Sequence, residues 1–74
     1  MKSKTMRNGS GKIDLFLCNG MGQNVRRVAE YSTLAELKRR GKQMLRAGER
    51  CGNHFVATEF AYTNEVGHLT FEWI

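Results

Sequence analysis

Four side chains in this sequence have the chemistry to hold a metal ion: Cys18, Cys51, His54 and His68. Cys51-Gly52-Asn53-His54 has the two-residue gap of a chelating pair, and Cys18 with His68 would complete a Cys2His2 set suited to tetrahedral zinc. A zinc signature is built from two close pairs, however, and Cys18 and His68 stand alone on segments that pattern as strands. The reading is therefore two free thiols, two surface histidines, no metal and no cofactor. The same thiols could act as nucleophiles beside a histidine, but no acid or amide stands at an informative spacing to orient it. Gly9-Ser10-Gly11-Lys12 and Asn19-Gly20-Met21-Gly22 lack the spacing of a phosphate loop and lead into no helix, so both read as turns. With no catalytic constellation in 74 residues, the expectation is a protein that is not an enzyme.

Binding chemistry is better represented. Twelve Lys and Arg against seven Asp and Glu give a formal charge of +5, and the charge is unevenly spread. Residues 1–12 hold four cations and no acid, residues 26–50 hold eight cations against three acids, and residues 51–74 hold three acids and no Lys or Arg. A molecule with a basic middle and an acidic last third would steer an anionic partner to its middle, at a rate that falls with salt. Lys38, Lys42 and Arg46 follow one another at i, i+4 and i+8 with Arg39 beside them, and Arg26 and Arg27 precede them closely in the chain. These six residues are the candidate binding site, for phosphates or for an acidic protein surface. The alternative is an ordinary solvated helix face, because Lys and Arg are good helix formers that suit the C-terminal half of the macrodipole.

The elements that must position these residues follow from pattern. Residues 1–11 show no period and read as a flexible basic arm, leaving residues 12–74 as a single domain. Lys12 to Cys18 alternates Ile13, Leu15 and Leu17 against Asp14, Phe16 and Cys18, as a half-covered strand does. Asn19 to Gly22 makes a turn, and Gln23 to Tyr31 returns, with Val25 and Val28 out of phase and so a bulge near Arg26 and Arg27. Thr33-Leu34-Ala35-Glu36 fits a capping box that starts a helix, and Gly48 ends it after Ala47. Leu34, Leu37, Gly41, Met44 and Leu45 form its apolar stripe, where Gly41 implies close approach to the sheet or to an aromatic ring. His54 to Tyr62 and His68 to Trp73, separated by turn residues, read as a second hairpin, with Phe55, Phe60, Tyr62, Phe71 and Trp73 as core. The expected fold class is α+β: two layers, two antiparallel hairpins with one amphipathic helix between them, in the order β-β-α-β-β. The order of strands in the sheet is not readable.

Arg50 to Val56 carries part of the strand motif of RNA-recognition domains but has Asn53 and His54 where the leading aromatic belongs, and the element order differs, so membership is rejected. In length, single α+β unit, lack of a catalytic motif and polarised surface, the chain resembles the small phage-encoded inhibitors of the anti-CRISPR kind. That resemblance includes no sequence motif and assigns no residue a role. It implies binding to a bacterial nucleoprotein defence complex, through acidic protein surface or bound RNA. A second class is a direct nucleic-acid-binding module in which the same cations grip phosphates and Tyr62 or Trp73 stacks on bases. A third is a homodimer or larger assembly built through the last strand. With no apolar run long enough for a membrane span or a signal peptide, the expected location is the cytoplasm of a bacterial host.

Overall fold

The computed structural model describes residues 5–74. They form an α+β unit: one four-stranded antiparallel sheet and one α-helix. In chain order the elements are β1 (Ile13–Asn19), β2 (Gln23–Tyr31), α1 (Leu34–Arg46), a 3-10 turn at Gly52–His54, β3 (Glu59–Thr63) and β4 (Leu69–Glu72). The expected order thus holds approximately, with a 3-10 turn and an extended connection where residues 54–58 were expected to belong to a strand. The two hairpins join into one sheet, ordered β2-β1-β3-β4, because β1 pairs with β3 through Phe16–Ala61, Leu17–Phe60 and Cys18–Glu59.

Alternation assigns the two faces. Ile13, Leu15 and Leu17 of β1 and Phe60 and Tyr62 of β3 share the face beneath α1, and all are buried. Leu37 and Leu45 of α1 join them, with Val28, Ala29, Tyr31, Leu34 and Met44 packed around the margin. Thr33 caps α1 by accepting from the Glu36 N–H at 3.2 Å. The reciprocal half of the expected box is replaced, since the Glu36 carboxylate lies 3.8 Å from Arg40 and 3.9 Å from Arg39. At the other end Gly48 (φ +74°) permits a Schellman turn, in which the Gly48 N–H bonds Leu45 O and the Glu49 N–H bonds Met44 O. At Gly41 a Cβ would stand 2.6 Å from Phe60 Cγ, so the helix comes this near the sheet only without a side chain there.

Among the described residues no helix covers the opposite sheet face. Ala61 stands between Phe16 and Phe71 in the register, and the Phe71 ring reaches the β1–β2 turn, where a Cβ on Gly22 would meet it at 2.9 Å. This second apolar layer buries Cys18, Glu59 and Ala61. Phe55 and Trp73, expected in the core, are 51% and 50% exposed. Trp73 falls on this uncovered face one residue past β4, and Phe55 leads the connection into β3, where nothing closes over it.

Of the expected basic arm, residues 1–4 lie outside the described residues, and residues 5–11 are held against the sheet. Thr5 bridges to Asn64, the Met6 N–H bonds Thr63 O at 3.0 Å, and Arg7 Nη1 donates to the carbonyls of Gly11 and Ser32. Composition could not reveal this, because the anchors are backbone groups, the Arg7 guanidinium bound to carbonyls, and the amide of Asn8. That amide donates to Asp14 at 2.9 Å and to Glu30 at 2.7 Å while its oxygen receives the N–H groups of Ser10 and Lys12.

Candidate functional site

The six candidate cations occupy α1 and β2, and the structure divides them. β2 and β4 are the two edges of the sheet, and the flank of α1 bearing Lys38 faces β4. Lys38 Nζ lies 3.0 Å from Glu72 Oε2 and 5.8 Å from the centroid of the Tyr62 ring. The hydrogen bond with Glu72 raises the Lys38 pKa against the opposing effect of desolvation. Lys42 stands one turn further along the same flank, half-buried, and Arg39 and Arg46 point away from the sheet, exposed.

On β2, two irregularities of register bracket the arginine pair. Ala29 faces Leu15 while Arg27 faces Phe16, which leaves Val28 extra, and a second slip falls between Arg26 and Gln23, where Asn24 takes φ +53°. The expected bulge is therefore two. Arg26 and Arg27, consecutive on a strand, point to opposite faces. Arg27 lies on the face away from α1, where its Nε is 2.9 Å from Asp14 and its Nη2 is 3.1 Å from Glu30. The bond to Asp14 is the leading cause of its raised pKa. Arg26 Nη1 donates to the carbonyl of Arg50 at 3.0 Å, and Arg50 Nη1 donates to the carbonyl of His54 at 2.9 Å.

A carboxylate within 4 Å thus occupies Arg27, Lys38 and, more loosely, Arg39. Among the described residues, Arg26, Lys42, Arg46 and Arg50 have none. Carbonyl oxygens fix the forks of Arg26 and Arg50 without cancelling their charge. Arg50 was not among the candidates, and no local signal marks it, because its link to Arg26 depends on the connection after α1 folding back along β2. That connection also places Gly52 against the backbone of Asn24, where a Cβ would stand 2.9 Å from Asn24 O.

The acidic last third does not form a face. Glu59 is 1% exposed, its carboxylate accepting from the Gly22 N–H at 3.0 Å and from the Thr58 hydroxyl. Glu72 is held by Lys38, so Glu65, in the β3–β4 turn, is the one acid of residues 51–74 that is exposed and pairs with no cation among the described residues. The four potential metal ligands do not converge: Cys18 and Cys51 are buried, His54 is exposed in the 3-10 turn, and His68 lies at the opposite end of β3 from Cys18. Burial first, then the charges of Glu59 and Cys51, push the Cys18 thiol up to about 11. Tyr62 is 7% exposed beneath Lys38, which removes it as a base-stacking platform. No helix among the described residues is long and apolar enough to cross a membrane.

Comparison with known protein families, with curated proteins and with solved structures finds no match.

Proposed function

We propose that this chain is a small non-catalytic binding protein, an inhibitor of a bacterial nucleoprotein complex of the kind it resembles, acting in the host cytoplasm. Its contact residues are drawn from the candidate cations that carry no carboxylate, Lys42 and Arg46 of α1 and Arg26 of β2, supported by Arg50 beside Arg26 and by Arg39, which Glu36 holds only loosely. The observation that supports this reading is the unequal neutralisation of the basic residues. Arg27 and Lys38 have their charge matched within the fold, whereas Lys42 and Arg46 hold theirs in solvent along one helix without a compensating acid. Like charges at such spacing destabilise a helix by about 0.2 to 0.5 kcal/mol per pair, which an anionic partner would relieve. Arg27 and Lys38 act in this reading as structural cations rather than as contacts.

The second reading is direct nucleic-acid binding. It is favoured by Phe55, 51% exposed and next in the chain to His54, whose carbonyl accepts from Arg50, since an open aromatic near a cation is what single-stranded nucleic acid requires. Tyr62 is not part of it.

The test is binding of the purified protein to single-stranded and duplex nucleic acid at low and physiological salt, beside retention of a bacterial nucleoprotein complex before and after nuclease. Retention that survives nuclease and is lost in the Arg26→Gln, Lys42→Gln, Arg46→Gln triple variant supports the inhibitor. Tight, steeply salt-dependent affinity for free nucleic acid replaces it with the second reading. Unchanged binding of every partner in the triple variant defeats both.

A further inference from the structure

The two edges of the sheet are treated differently. β2 has two bulges, and the Arg50–His54 segment covers its start through the Arg26–Arg50 bond, the Asn53–Asn24 bond and the contact of Gly52 with Asn24. Both devices prevent a further strand from pairing there. β4 has neither. Leu69–Glu72 pairs with β3 on one side in unbroken register from Thr63–Leu69 to Phe60–Glu72, and it contains no proline, lysine or bulge. Every second residue of β4 therefore turns its N–H and C=O outward with no strand beside it among the described residues.

The surroundings of that edge specify what would fit it. On the face away from α1, Leu69 and Phe71 are half-buried and Trp73 continues their row, 50% exposed. On the face beneath α1 lie Thr70 and Glu72, with Lys38 bound to Glu72 and Lys42 one turn further along the same helix flank. Lys38 stands over Tyr62 and Gly41 over Phe60, so α1 proceeds in the direction of β4, and its cationic flank meets the open edge at Glu72 and continues from there to Lys42. We propose that β4 accepts an extended segment of a partner protein as a fifth strand, one that alternates apolar and acidic side chains. The apolar set would extend the Leu69–Phe71–Trp73 row, and the acidic set would meet Lys42, whose charge no carboxylate among the described residues matches. A second copy of this chain fits less well, because pairing β4 with its own copy brings two cationic helix flanks together while each Glu72 is already engaged by Lys38. The inference rests on the reading that the partner presents acidic protein surface, and it specifies the form of that surface.

The experiment uses the full chain and three short blocked peptides of equal length: alternating valine and glutamate, alternating valine and lysine, and glutamate alone. Amide shifts and hydrogen exchange locate binding, and titration gives affinity. The valine–glutamate peptide is expected to protect alternate amides of Leu69–Glu72 and to bind in preference to the other two. Lys42→Glu, a substitution on the half-buried flank outside the core, is expected to weaken it about three- to tenfold and to favour the valine–lysine peptide. Equal binding of all three peptides, or protection confined to other elements, overturns the proposal. A free protein that is already dimeric with β4 amides protected also overturns it, by assigning the edge to a second copy. If both glutamate-containing peptides bind equally to the α1 cations while β4 exchanges freely, the edge proposal fails and the inhibitor reading stands. If no acidic peptide binds and the Arg26, Lys42 and Arg46 triple variant retains every partner, both fail.

Discussion

Gly41 and Phe60 touch where the helix meets the sheet: the position a Cβ would take on Gly41 is 2.6, 2.7 and 2.8 Å from three carbons of the Phe60 ring. Phe60 is fully buried and paired with both Leu17 and Glu72, so it has nowhere to withdraw. The contact sets the spacing of the two layers at their centre.

Gly41→Ala is therefore expected to destabilise the protein although alanine is the better helix former. Overpacking costs about 1 to 3 kcal/mol, and the gain in propensity returns about 1 kcal/mol, so a net loss of up to about 2 kcal/mol should appear in chemical denaturation. Adding Phe60→Leu should recover part of it, since the smaller side chain opens the space the new methyl needs. Independent, additive losses in that double-mutant cycle would show that the two positions do not press on each other.

Cys18 makes stability fall at alkaline pH. Its folded pKa is pushed up to about 11 by burial, whereas an unfolded thiol ionises near 9.0, so between those values the unfolded chain sheds a proton that the folded chain retains. The slope of stability against pH is negative across that window, for a loss of about 2 to 3 kcal/mol by its upper end. Lys38 adds to the decline, because its raised pKa means that its bond with Glu72 is lost only as pH rises through the folded value. Denaturation curves taken across the window for the native chain and for Cys18→Ala check this, and equal slopes would refute it. Cys18 should also resist thiol reagents until the protein unfolds.

Glu59 anchors the β1–β2 turn from beneath. Replacing it with alanine leaves the Gly22 N–H and the Thr58 O–H without their acceptor, an expected cost of about 1 to 3 kcal/mol. Faster hydrogen exchange at Gly22, with α1 unaffected in its middle turns, is the local signature.

Trp73→Ala should cost less than about 1 kcal/mol, because half of the side chain faces solvent, whereas Phe60→Ala should cost about 3 to 5 kcal/mol. Thermal melts of the two variants decide it. A Trp73 variant that unfolds outright would return that residue to the core.

These predictions divide along the line between local and distant interactions. Thr33, Gly41 and Gly48 could be assigned from the sequence because each acts within one helix or on the layer directly beneath it. The first hairpin was equally legible, from the alternation of Ile13, Leu15 and Leu17 and the return over Gln23–Tyr31. The segment from His54 to Thr58 was not: its aromatic and β-branched residues suit a strand, but its backbone bonds elsewhere, Ala57 to Glu49 and Thr58 to Cys18. Charge was misread for the same reason. A tally by segment counts Glu59 and Glu72 as surface acids, and only the tertiary fold shows one buried and the other bound to Lys38.

The pairing of β1 with β3 also governs when the protein can fold. Its partners lie 41 to 45 positions apart, from Cys18–Glu59 to Phe16–Ala61, and β1 and β3 are the two inner strands of the sheet. During synthesis Ile13, Leu15 and Leu17 emerge early and wait for residues made on the order of several seconds later. The first hairpin can zip in microseconds, yet it has no covered face until α1 and β3 arrive. Folding should thus be all-or-none and late, with the nascent chain exposed to chaperones or to its intended partner before its core exists.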